Sequence, residues 1–282
     1  MTIDPILPTS CAEIRREIFE GSVFLTRSSE ASRGLVESVV RDMQAELDTT
    51  DIRTAHQKWS DTELFERFGK LRRHFFLSPE YHERLREVVE ACGFERSRVA
   101  FDPIRIRVVL PGGHRNPKAA PVYYPHRDTW YAHPQSLVVW WVPLHDLRSD
   151  ETFEFYPNDF DREVANDSEI FDYGVWVKDG PALKIGWQKR DSGETANYPR
   201  AGIEPNRTQG VGFACKAAEN LIFSGAHFHQ TLPQDSDTIR YSLDFRVVHL
   251  DDIDSGDGAP NVDNRSRGST FNDYIQPVSS VA

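Results

Sequence analysis

The stretch Ile104-Arg105-Ile106-Arg107-Val108-Val109-Leu110, closed by Pro111-Gly112-Gly113, most constrains the fold. It alternates, is β-branched and ends on turn residues, so it predicts a strand with two unlike faces. Further strands are expected over 136–141, 152–156, 219–224 and Arg240–His249. The residues before it read as helical. Leu35, Val36, Val39, Val40, Met43 and Leu47 recur at helical spacing, as do Leu64, Phe65, Phe68, Leu71 and Phe75. Ser78-Pro79-Glu80 is a helix start and Gly93 a helix stop. Several strands after a helical segment suggest an antiparallel barrel or sandwich with helices packed outside.

The expected organisation is one domain over 1–282. Residues 1–98 form a mainly helical flank and 99–250 the β core, with 157–218 as an irregular insert rich in Gly, Asn and Asp. Residues 251–282, poor in apolar side chains, read as an extended, mobile tail. An insert of that length is more often functional than inert. Its Trp176, Trp187, Tyr198 and Arg200 could form a lid over a substrate.

A net charge of −11 leaves no basic surplus for phosphates, so nucleic acid is not an expected partner. Three widely spaced cysteines, Cys11, Cys92 and Cys215, form no CxxC pair and point to a reducing compartment. No apolar run reaches the length of a membrane span and the N-terminus carries no signal-peptide pattern, so the expected location is the cytoplasm, with no membrane partner.

The chemistry-bearing motif is His126-Arg127-Asp128 with His229 far downstream. Two imidazoles and one carboxylate on one face of a metal leave coordination positions open, the pattern of non-haem Fe(II) oxygenases. His-x-Asp alone is common, and a second copy stands at His249-Leu250-Asp251. That copy follows the last strand with no histidine after it, so it reads as a strand end entering an acidic segment.

From Phe223 through His227, His229, Thr231 and Pro233 to Arg240, the chain resembles the phytanoyl-CoA dioxygenase family of Fe(II)/2-oxoglutarate-dependent oxygenases. Trp141-Val142-Pro143-Leu144 and Thr152–Pro157 stand where that family carries corresponding strands. The resemblance covers roughly 99–250. It departs at Tyr156-Pro157-Asn158-Asp159-Phe160, which replaces a Pro-Gly-Ser-His turn, and at Gln234, which replaces an asparagine. It implies a double-stranded β-helix (jelly roll, cupin-like) core, mainly β with flanking helices. It also implies Fe(II) held by His126, Asp128 and His229, with 2-oxoglutarate and O2 as cosubstrates. Arg240, eleven residues after His229, takes the place of the arginine that holds the remote 2-oxoglutarate carboxylate, with Thr231 in support. That offset selects His229 over His227, which periodicity cannot separate from it. A planar bidentate cation suits a carboxylate, hence arginine.

Around this set, Trp141 is expected to pack near the cosubstrate and Tyr124 to hydrogen-bond it. Arg107, with Arg105 on the same strand face, would bind an anionic substrate or the second end of 2-oxoglutarate; on a solvent face they would be a solvated stripe. Trp130, Trp176 and Arg200 are further candidates for substrate contact, while His133 and His145 read as surface residues. The expected reaction is hydroxylation of an unactivated C–H in a small metabolite, with 2-oxoglutarate converted to succinate and CO2. Desaturation, ring closure and epimerisation use the same oxidant. Halogenation is disfavoured because Asp128 is intact. The rivals are a non-catalytic ligand-binding barrel and a hydrolytic zinc enzyme, which leaves Arg240 unexplained. Neither the prime substrate nor the oligomeric state is written in these motifs.

Overall fold

The structure, a computed structural model, describes residues 2–178 and 198–277. Strand β1 (Ile3–Asp4), helix α1 (Cys11–Phe19) and strand β2 (Val23–Thr26) open the chain. Helices α2 (Glu30–Leu47), α3 (Ala55–Lys58), α4 (Asp61–Leu77) and α5 (Pro79–Ala91) follow. Strands β3 (Val99–Val109), β4 (Val138–Pro143) and β5 (Phe153–Phe155) come next, then α6 (Tyr173–Lys178). Strands β6 (Asn220–Ser224), β7 (His229–Thr231) and β8 (Arg240–His249) precede α7 (Leu250–Ser255).

The architecture is mixed, with a six-stranded sheet in the order β1-β2-β6-β4-β8-β3, antiparallel except for β1 and β2. A smaller sheet pairs β5 with β7 and is widened by bridges from His126 to His229 and from Phe155 to Val211. Two sheets and an outer helical layer agree with the expected antiparallel core. The N-terminal flank differs from expectation by lending β1 and β2 to the large sheet. Both are too short to show a periodic pattern.

The helices form where capping and apolar spacing coincide. Ser29 and Ser60 each close a capping box, and Pro79 occupies the first turn of α5. Their buried stripe (Leu35, Val39, Phe68, Phe75, Leu85, Val88) packs on one face of the large sheet, against Trp140, Ile222, Leu243 and Phe245. The other sheet face alternates in register with it. In β4, Val139 and Trp141 point inward to join Phe153, Phe155 and Phe223 in a second cluster.

The same alternation in β8 buries Tyr241, Leu243, Phe245 and Val247 under the helices and turns Arg240, Asp244 and Arg246 inward. In β3 the register slips by one residue between Asp102 and Arg105, opposite Arg246 and Asp244. This bulge at Pro103, a residue with no N–H to lose from the ladder, puts Asp102 and Arg105 on the same inner face. They bond there at 3.0 Å.

The tail departs from expectation across its described part. Asp263 is fully buried, and Thr270 and Tyr274 are buried as well. Apolar packing by Ala259, Phe271, Tyr274 and Ile275 is joined by buried polar contacts such as Asp263 with Arg127, which an apolar-content reading does not register. Trp187 lies outside the described residues.

Candidate active site

His126 and His229 are joined by backbone. Each donates its amide to the other's carbonyl at 3.0 Å, the double exchange of an antiparallel pair, so both side chains leave on one side. His126 Nδ1 lies 2.8 Å from the Tyr124 carbonyl and His229 Nδ1 lies 2.9 Å from the His227 carbonyl. A carbonyl only accepts, so both Nδ1 atoms carry the proton and both Nε2 atoms present bare lone pairs. Asp128 opens a short 3-10 turn two residues on, and its Oδ2 lies 3.9 Å from His229 Nε2. The three donor atoms lie within 4.8 Å of one another.

Arg127, between His126 and Asp128, points the other way and is wholly buried. It donates to Asp263 at 3.0 Å, to the carbonyls of Asp159 and Arg162, and to that of Ala226. Asp263 also accepts from Trp130 Nε1 at 2.8 Å. The C-terminal segment thus clamps the loop that carries His126 and Asp128. Gly225 completes the turn toward β7, since a Cβ there would lie 2.5 Å from the Leu137 side chain.

Electrostatics keep the donors in their ligating forms. Burial, and next the nearness of His229, push the His126 pKa down to about 3. Burial alone would raise that of Asp128, but Arg246, followed by the two histidines, holds it well below the usual carboxylate range. Arg246 is buried among Asp128, Asp102 and Asp244 at 2.9, 3.4 and 3.4 Å. Burial would lower its pKa, and these three carboxylates raise it instead.

A cavity of about 330 Å³ opens from the triad, lined from both sheets, within the usual size range of small-molecule pockets. Arg240 lines it and is 3% exposed. It donates to the Thr152 carbonyl at 3.2 Å and, at 3.5 Å, to that of Glu151, while its Nε has no partner. It forms no ion pair among the described residues, and burial pushes its pKa down to about 10. A buried guanidinium short of an anion is a receptor for one.

The cavity brings together His126, Asp128, His229, Arg240, Thr231, Trp141, Arg105, Arg107 and Trp176. Trp130 is not among its walls; it is fully buried and held by Asp263. Arg200 stacks over the Tyr124 ring at 4.4 Å, so neither side chain reaches the cavity, and Tyr124 contributes only its carbonyl to His126. His133, expected at the surface, is buried on the cavity wall, with Nδ1 2.7 Å from the Thr270 hydroxyl and 2.9 Å from that of Tyr274. His145 is half-buried and accepts from the Tyr241 amide. Asp244 and Arg246 were legible in principle, since counting by two forward from Arg240 reaches both, whereas Asp102 was not, because the bulge between Asp102 and Arg105 breaks the count back from Arg107. Arg72, on α4, carried no such signal.

No protein-family model matches the chain, and no curated protein matches it. Among solved structures it is similar to the non-haem monooxygenase ThoJ (TM-score 0.46, 10% identity, 91% of this chain and 89% of that one). It is also similar to EvdO2 from Micromonospora carbonacea var. aurantiaca (TM-score 0.47, 11% identity, 86% and 93%). A third is SnoN, an α-ketoglutarate-dependent epimerase from nogalamycin biosynthesis (TM-score 0.40, 12% identity, 83% of each chain). Likeness at this level carries no argument about the reaction. Among the described residues, no helix is long and apolar enough to cross a membrane.

Proposed function

We propose that this chain is an Fe(II)/2-oxoglutarate-dependent oxygenase that hydroxylates a small molecule, with its two sheets forming a double-stranded β-helix. The observation that carries the reading is the pairing of two features in one cavity. Two Nε2 atoms and one carboxylate oxygen converge with their outer atoms already committed, and an arginine without an anion stands in the same cavity. Mixed imidazole and carboxylate donors suit a divalent iron, and a three-donor set leaves positions for a chelating keto acid.

When bound, iron and 2-oxoglutarate supply O2-dependent decarboxylation to succinate and an oxidant for an unactivated C–H. The chain's own residues supply the placement. The Nδ1–H bonds fix both imidazole planes, and Arg246 holds the Asp128 oxygen that faces away from His229. Arg240 and Thr231 orient the remote carboxylate, and Trp141, Phe153 and Phe223 exclude water around it.

The test is succinate formation from 2-oxoglutarate by Fe(II)-loaded protein in air. Wild type is expected to form it slowly without a prime substrate, and His229→Ala to form none. Equal succinate from both proteins would remove the triad from the chemistry. With a substrate in hand, hydroxylation adds one atom from 18O2 to the product. Loss of two hydrogens without label would mean desaturation or ring closure.

A further inference from the structure

Among the described residues, five arginines line the cavity (Arg72, Arg105, Arg107, Arg240 and Arg246) against four aspartates, Asp273 joining Asp102, Asp128 and Asp244. Arg105 is matched by Asp102 at 3.0 Å, and Arg246 by Asp128, Asp102 and Asp244. Arg107 donates one nitrogen to Asp244 at 2.6 Å, and its side chain remains 47% exposed. Arg72, half-buried on α4, makes no hydrogen bond or ion pair among the described residues and lines the same cavity. Arg72 and Arg107 line one cavity, and burial first and then the charge of Arg107 push the Arg72 pKa down to about 10. Iron and 2-oxoglutarate have opposite formal charges, so their binding leaves this surplus in place.

Beside these arginines stands an aromatic wall. Tyr131 meets Phe171 at 5.8 Å and Tyr198 at 6.1 Å, and Trp176 meets Phe171 at 5.3 Å and Tyr198 at 5.7 Å. Tyr131 also stands edge-on to the His126 ring at 5.5 Å, so the wall begins at the metal ligands. We propose that Arg72 and Arg107 bind an anionic group of the prime substrate, a carboxylate or a phosphate, while the Tyr131, Phe171, Trp176 and Tyr198 rings hold its apolar body beside His126. The assignment of a prime substrate rests on the oxygenase reading; the anion site itself does not require metal.

A guanidinium pair without its anion repels itself, and a dianionic or bidentate oxyanion relieves that repulsion while gaining charge-assisted hydrogen bonds. The apolar wall would reject a small, fully hydrated anion and favour one attached to a hydrocarbon. Such a substrate places its C–H groups, rather than its charge, next to His126.

Calorimetric titration of the anaerobic Fe(II)/2-oxoglutarate protein with hexanoate, hexyl phosphate and hexanol tests this. At least one anion is expected to bind, with hexanol roughly tenfold weaker or more, a gap of about 1.4 kcal/mol. The tighter anion tells a carboxylate substrate from a phosphate ester. Arg72→Gln should weaken that anion about tenfold, and Arg72→Lys should recover part of the loss. Neither variant should change 2-oxoglutarate affinity, which Arg240→Gln should weaken more than about a hundredfold. Hexanol binding as well as both anions, or an anion held equally by Arg72→Gln, would overturn the proposal. Loss of 2-oxoglutarate binding in Arg72→Gln would overturn it too, by making Arg72 a cosubstrate anchor. Should the protein take up no iron, the same titration on metal-free protein still reads the anion site, so the two ideas fail separately.

Discussion

Arg246 donates to Asp128 Oδ1 at 2.9 Å, and the other oxygen of that carboxylate faces His229 Nε2 at 3.9 Å. One oxygen is therefore committed to the protein and one is left for a metal. Arg246→Met should lower Fe(II) affinity about 10- to 100-fold, the usual penalty for losing the partner of a ligand. It should also destabilise the fold by about 3–5 kcal/mol, because Asp102 and Asp244 lose their shared cation. Equilibrium dialysis against Fe(II), with urea melts alongside, checks both. A folded variant that holds iron as tightly as wild type would show that Asp128 needs no such anchor.

Arg240 carries the cosubstrate side of the account. Arg240→Gln should weaken 2-oxoglutarate more than about a hundredfold, since it removes one member of a buried charge pair worth about 3–5 kcal/mol. Iron content should be unchanged, because Arg240 touches no ligand. Calorimetry with 2-oxoglutarate on the metal-loaded variant reads the difference, and equal affinity would transfer the role to another arginine.

Asp263 ties the C-terminal segment to the loop that carries His126 and Asp128. Asp263→Ala leaves Arg127 charged, buried and without its carboxylate, and it strands the Trp130 indole N–H. The expected loss is about 3–5 kcal/mol, visible as an earlier urea midpoint. A midpoint within error of wild type would mean that the carbonyls around Arg127 suffice.

Acid should unfold the metal-free protein in two stages. His126, His133 and His227 are each held to about 3, by burial first, against an ordinary 6.5. The folded chain therefore resists their protonation: stability is full above about pH 6.5 and falls as pH drops toward 3. Asp102 and Asp128 sit below the usual carboxylate range, so their contribution is lost only below about pH 4. Between pH 6.5 and 5 the histidines act alone. His133→Gln, which can keep a bond to Thr270, should recover about 2 kcal/mol of the loss at pH 5. Identical pH profiles for variant and wild type would mean that His133 is not held neutral by its burial.

Much of this was legible in sequence because it repeats with a period. The strand Arg240–His249 was expected at its observed bounds, since ten alternating residues buried on both faces leave little freedom. The triad residues stand together as their motif and offset required. What escaped depends on partners distant in sequence. Trp130 looks like a pocket residue until Asp263 is placed against its indole, and His133 looks exposed until Thr270 and Tyr274 cover it. Both covers come from a segment whose composition suggests disorder, because composition averages away the buried ion pairs, Arg127 with Asp263 and Arg15 with Asp252, that anchor it. Arg200 and Tyr124 stack on each other outside the cavity, a contact that no spacing rule encodes.

The most direct measurement of the central claim is the visible spectrum of anaerobic, Fe(II)-loaded protein as 2-oxoglutarate is added. The account predicts a new metal-to-ligand absorption that saturates at one equivalent of 2-oxoglutarate per iron and is absent in His126→Ala. A wild-type protein that takes up no iron, or that stays colourless with iron bound and 2-oxoglutarate in excess, would contradict it.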